Sequence, residues 1–152
     1  MAKQDIKQKV LKWCKEENIF KEDNEDPNAK FNIGINFPEN IPHGMNVIQP
    51  KEREDRILIL SGTSVSPGHI EKMKNTAKKE LDEFLWDLRF TLGSKATEFE
   101  FRFSDGILSL ILITAPIYSD GLTKDKFMAT LREVYKSKLL AVWKIQQKFG
   151  ES

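Results

Sequence analysis

The stretch Gly106-Ile107-Leu108-Ser109-Leu110-Ile111-Leu112-Ile113-Thr114-Ala115 constrains this chain most, because both of its alternating faces are apolar. Ile107, Ile111 and Ile113 fall on one face and Leu108, Leu110 and Leu112 on the other. That pattern predicts an interior strand with cover on both sides. Closed by Pro116, the run is too short to cross a bilayer, which takes about 20 residues of helix. A buried helix is the competing reading from pattern alone. The Asp105-Gly106 pair ahead of it, preceded by Phe99, Phe101 and Phe103 alternating with Glu98, Glu100 and Arg102, favours a β-hairpin.

At 152 residues the chain has the size of one domain, and a single α+β domain over 1–152 is expected. With 31% charged residues and no apolar run near membrane length, neither a membrane span nor a membrane partner is expected. The charged start Met1-Ala2-Lys3-Gln4-Asp5-Ile6 lacks the apolar core of a signal peptide, so the expected address is cytoplasmic. One cysteine, Cys14, leaves no internal disulfide and no Cys-x-x-Cys pair. A net charge of +1 exerts no global pull toward nucleic acid or lipid.

Ile6, Val10, Trp13 and Cys14 recur at helical spacing over Lys3 to Glu17, with five lysines outside the stripe. Lys21 to Asn28 reads as a loop. A calcium loop counted from Asp23 would need glycine sixth and glutamate twelfth, where Asn28 and Gly34 stand. Phe31 to Phe37 alternates as a half-buried strand. Pro38, Pro42 and Gly44 interrupt; Met45 to Gln49 and Arg56 to Ser61 complete a three-stranded meander. Ser66 caps a helix with Pro67 in its first turn, running to about Leu92 before Gly93. Its core stripe is Ile70, Met73, Ala77, Leu81, Phe84, Leu85, Leu88 and Leu92, and Trp86 and Phe90 fall on the opposite side. Thr97 to Phe103, with one wholly polar face, is expected at a sheet edge. Thr123 caps a last helix ending at Phe149-Gly150. The fold class expected is α+β: a five-stranded, mainly antiparallel sheet with three helices, in the order α-β-β-β-α-β-β-α.

That order, with the run Asn46-Val47-Ile48-Gln49-Pro50-Lys51 followed by Asp55-Arg56-Ile57, resembles a family of short uncharacterised archaeal proteins. The element order is also similar to the type III secretion chaperone-like fold. The resemblance implies a homodimer that binds extended segments of other proteins and carries no catalytic residues. Fold does not fix function, so the chaperone activity stands as analogy.

Ser61 to His69 has the glycines and hydroxyls of a phosphate cradle, but its spacing matches neither a P-loop nor a nucleophile elbow. A strand exit and helix cap is the reading preferred there. His43 and His69 lack spaced carboxylate partners and read as surface residues. Glu80, Asp82 and Glu83 read as solvated ion pairs, and the lysines of the first and last helices as a solubilising face. No metal, cofactor, catalytic residue or nucleic acid is expected. Two large rings on the polar side of a helix are costly to leave in water. Trp86 and Phe90, with Trp143 and Leu140 as a neighbouring surface, are therefore the expected partner-binding residues of a non-enzymatic homodimer. The alternatives are a nucleotide- or phosphate-binding protein or enzyme using residues 61–69, and nucleic-acid binding by the basic helices.

Overall fold

The computed structural model describes residues 5–41 and 43–151. The expected helix start at Lys3 and the interruption at Pro42 lie outside the described residues. In chain order the elements are α1 (Ile6–Glu16), β1 (Phe20–Asn24), β2 (Ala29–Asn36), β3 (Gly44–Pro50), β4 (Arg56–Ser64), α2 (Pro67–Lys74), α3 (Lys78–Gly93), β5 (Glu98–Ser104), β6 (Ile107–Tyr118) and α4 (Lys124–Phe149). The strands form one antiparallel sheet in the order β1-β2-β3-β4-β6-β5.

Two features correct the expected fold class of five strands and three helices: the described residues form six strands and four α-helices. The extra strand, β1, occupies part of the segment read as a loop. Its burial shows no alternation because it is an edge strand held by its ladder to β2, Asp23 opposite Ile33 and Asn24 opposite Asn32. The extra helix comes from a break in the segment read as one helix. Asn75 caps α2, Thr76 N–H bonds Met73 O, and the Thr76 hydroxyl donates to Lys72 O. Short polar side chains that bond their own backbone compete with helix continuation, so the chain restarts at Ala77. Ala77, expected in the core stripe, is exposed there.

The chain divides into two compact units, residues 1–61 with 115–135 and residues 62–114 with 136–152, and β4, β6 and α4 run through both. In the first unit, Asp5 caps α1 by accepting from Lys7 N–H at 3.0 Å. The helix packs on β1 and β2, with Trp13 against Phe127 at 5.6 Å. Ile33, Ile35, Val47, Ile57, Ile59 and Phe127 are fully buried. The Asn-Val-Ile-Gln-Pro-Lys run lies on β3 and its turn. Asn46 donates to the Asn32 side chain at 2.8 Å, and buried Gln49 donates to Glu54 O at 3.2 Å, holding the turn into β4. β6 does not stop at Pro116. Its last β5 partner is Thr114, opposite Glu98, and Ser119 N–H bonds Asp55 O on the β4 side, so the missing N–H of Pro116 points to a side where the described residues form no strand.

In the second unit the hairpin turn is Asp105-Gly106, with φ of 52° and 77° and Ser104 opposite Ile107. Two positive φ values in a two-residue loop match the twist of the flanking strands. Ile111 and Ile113 are buried beneath the helices, but Leu110 and Leu112 remain half-buried, so the second face of β6 lacks the full cover that its apolar pattern suggests. Gly62 makes room there: a Cβ at its position would meet Leu112 at 3.3 Å. Leu81, Phe84, Leu85, Leu88 and Leu92 of α3 are buried, Phe84 edge-on to Phe149. Among the described residues no helix is long and apolar enough to cross a membrane.

Residues 61–69 form the end of β4 and the start of α2. The Ser66 hydroxyl accepts His69 N–H at 3.2 Å and lies 3.0 Å from His69 Nδ1, while His69 Nε2 lies 2.6 Å from Gly150 O. A carbonyl only accepts, so Nε2 carries the proton and the Ser66 hydroxyl donates to Nδ1. Lys72 Nζ donates to Phe149 O at 2.7 Å, and together the two side chains cap the carboxyl end of α4. His69, expected at the surface, is buried because of that role.

Ser66→Ala removes both the cap and the imidazole's partner, and chemical denaturation should show a loss of about 1–2 kcal/mol. Ser61 is buried with its hydroxyl lacking a hydrogen bond among the described residues, so Ser61→Ala should be neutral or stabilising in the same titration. Burial pushes the Cys14 thiol up to about 12. Ellman's reagent at pH 8 should label it on unfolding and leave the native protein unlabelled.

Candidate functional site

Helix α3 turns its leucines inward and leaves positions 86, 89 and 90 together on the outer side, three and four residues apart. Trp86 and Phe90 are 55% and 71% exposed, their rings 5.8 Å apart and 30° from parallel. The Arg89 guanidinium sits 4.9 Å from the Trp86 ring and 5.5 Å from the ring of Phe101 on β5. The planar cation therefore joins helix to strand. Along β5 the rings continue, Phe99 to Phe101 at 5.1 Å and Phe101 to Phe103 at 6.5 Å, with Phe103 45% exposed. Five rings and one guanidinium thus make one surface on α3 and β5.

The other face of β5 carries Glu98, Glu100 and Arg102, and Arg102 Nε donates to Glu100 at 2.7 Å. Beside the rings, Lys144 pairs with Asp87 at 2.9 Å and Lys148 with Glu80 at 2.6 Å, tying α4 to α3. Such exposed pairs contribute little to stability. Asp87 follows Trp86 in the chain, so the first of these pairs puts charge next to the rings.

Of the residues expected from sequence, Trp86 and Phe90 lie together on this surface. Trp143 is exposed on α4 and Leu140 is half-buried, and among the described residues neither joins the ring contacts. Arg89, Phe99, Phe101 and Phe103 were not singled out. Their signal was present: three rings alternating on a strand expected at an edge need a helix over them, and Arg89 lies one turn from Trp86.

The other candidate groups are engaged elsewhere. His43, expected at the surface, is half-buried with its ring 5.4 Å from that of Tyr135. Asp82 pairs with Lys78 at 3.1 Å, and Asp23 of the rejected calcium loop with Lys7 at 2.9 Å. Among the described residues, no three His, Cys, Asp or Glu side chains come together as a metal site. Several lysines of the basic helices face acids. Lys124 lies 2.9 Å from Glu17 and 3.3 Å from Glu16, and hydrogen bonds to Glu17 and then Glu16 raise its pKa. Burial lowers that of Lys138.

A crystal structure of an uncharacterised protein from Methanothermobacter thermautotrophicus is similar to this chain at 35% identity and a TM-score of 0.90, over 95% of this chain and 99% of that one. The structure of YbjN from E. coli is similar at a TM-score of 0.55 and 14% identity, over 92% of each chain, a likeness of fold alone. No curated protein matches. Residues 6–145, which hold α1, the whole sheet and the ring surface, match the profile of an uncharacterised conserved protein family (DUF2299), and the chain belongs to that family.

Proposed function

We propose that this protein is a non-enzymatic protein-interaction module of the cytoplasm that works as a homodimer and docks through the ring surface of α3 and β5. The observation that carries the reading is the exposure of Trp86, Phe90 and Phe103 in one contiguous patch held by Arg89. Burying each large ring at a contact is favourable by about 1.5–3 kcal/mol, more than a surface ion pair offers. Aromatic anchors with a charged margin are the usual anatomy of a protein interface. The binding of an extended segment of another protein, in a chaperone-like manner, is the finer part of the reading. It draws on the exposed rings, since the element order behind the chaperone resemblance does not hold in the six-stranded sheet, and the likeness to YbjN is one of fold.

Phe90→Asp places a charge at the most exposed ring without touching the core. Light scattering across a concentration series should find the wild type as a dimer and the variant as a monomer, with dissociation strengthened at least about tenfold. Thermal unfolding of the variant, followed under monomeric conditions, should match the wild type within about 0.5 kcal/mol. A wild type that stays monomeric to millimolar concentration would overturn the homodimer reading, as would a variant that associates equally well.

A further inference from the structure

We propose that β5 is the seat of a second copy of this chain, paired with it antiparallel about a two-fold axis at Phe101. The inference rests on reading the α3 and β5 rings as a protein-contact surface, and it names the partner and the register.

β5 ends the sheet, with β6 on one side and no strand on the other among the described residues. Edge strands are normally blunted by shortness, charge or a bulge. The opposite edge, β1, is blunted in all three ways: five residues, Lys21, Glu22 and Asp23 along it, and a bulge between Phe20 and Glu22. β5 also carries charge, in Glu98, Glu100 and Arg102, but it runs for seven residues. The register shift near Arg102 comes from an extra residue on β6, where Ser109 falls between the partners Leu108 and Leu110, so β5 itself is unbroken.

The direction of its backbone groups follows from its neighbour. Ser109 O accepts Val65 N–H on the β4 side, and the Ser109 hydroxyl donates to Arg102 O at 3.1 Å. The carbonyl of Arg102 therefore points toward β6, and with it those of Glu98 and Glu100. Alternation leaves the N–H and C=O groups of Phe99, Phe101 and Phe103 pointing outward.

The strand reads Glu98-Phe99-Glu100-Phe101-Arg102-Phe103-Ser104. Folded about Phe101, it sets Glu100 opposite the partner's Arg102, and by symmetry Arg102 opposite the partner's Glu100. Phe99 faces the partner's Phe103, and Glu98 the partner's Ser104. A two-fold at Glu100 would oppose two glutamates on the axis, and one at Arg102 would oppose two arginines. Charge complementarity selects the register centred on Phe101, and the closer spacing of the pairs without backbone bonds suits the Glu100 and Arg102 side chains. An axis normal to the sheet keeps both helix layers on one side, so Trp86 and Phe90 of the two copies approach across it and cover one another.

Charge-swap variants read by light scattering test this directly. Glu100→Arg and Arg102→Glu should each weaken association about tenfold or more, because each creates two like-charge pairs. The double variant carrying both substitutions should regain the wild-type dissociation constant. Single variants that dimerise like the wild type, or a double variant that stays as weak as the singles, would overturn the pairing. If Phe90→Asp still dissociates the dimer in either case, the dimer lies on the helix rings and the functional reading survives; a monomeric wild type removes both.

Discussion

Among the described residues β5 has a hydrogen-bonding neighbour on one side only, and much of the second unit is arranged around that fact. A strand in this position must cover one face, leave the other wet and do something with its open edge. The phenylalanines meet the first demand through α3, which packs on β5 and lays Arg89 between Trp86 and Phe101. Glu98, Glu100 and Arg102 meet the second. The third is left open within this chain, and the rings beside it remain in solvent.

The same unit is closed at the carboxyl end of α4. The imidazole of His69 and the ammonium of Lys72 take the last carbonyls of α4, and Phe149 stands against Phe84. Of the side chains of residues 61–69 that looked most like a ligand cradle, Ser66 and His69 are thereby bonded to the backbone of their own chain, while the rings of Trp86, Phe90 and Phe103 stand in solvent.

Where local rules decide structure, the sequence was legible. Asp105-Gly106 turned as its residue types require, Ser66 and Thr123 capped the helices that follow them, and β6 took its place between β4 and β5. Trp86 and Phe90 stood out because they fall off the leucine stripe. What escaped depends on partners distant along the chain. β1 is held by its ladder, with no apolar pattern of its own. Burial of His69 waits on Gly150, 81 positions later. The break before α3 was hidden because Ala77 keeps the period of the stripe while Asn75 and Thr76 end the helix. The alternating phenylalanines of β5 signalled a covering helix, but which helix covers them depends on α3 lying over β5.

Hydrogen exchange of the β5 amides as a function of protein concentration shows whether a second copy fills the edge, since it reports on individual N–H groups. If the edge is filled by a second copy, protection at Phe99, Phe101 and Phe103 rises with concentration while that at Glu100 and Arg102, bonded within the chain, stays constant. Equal and rapid exchange of Phe99, Phe101 and Phe103 at every concentration would contradict it.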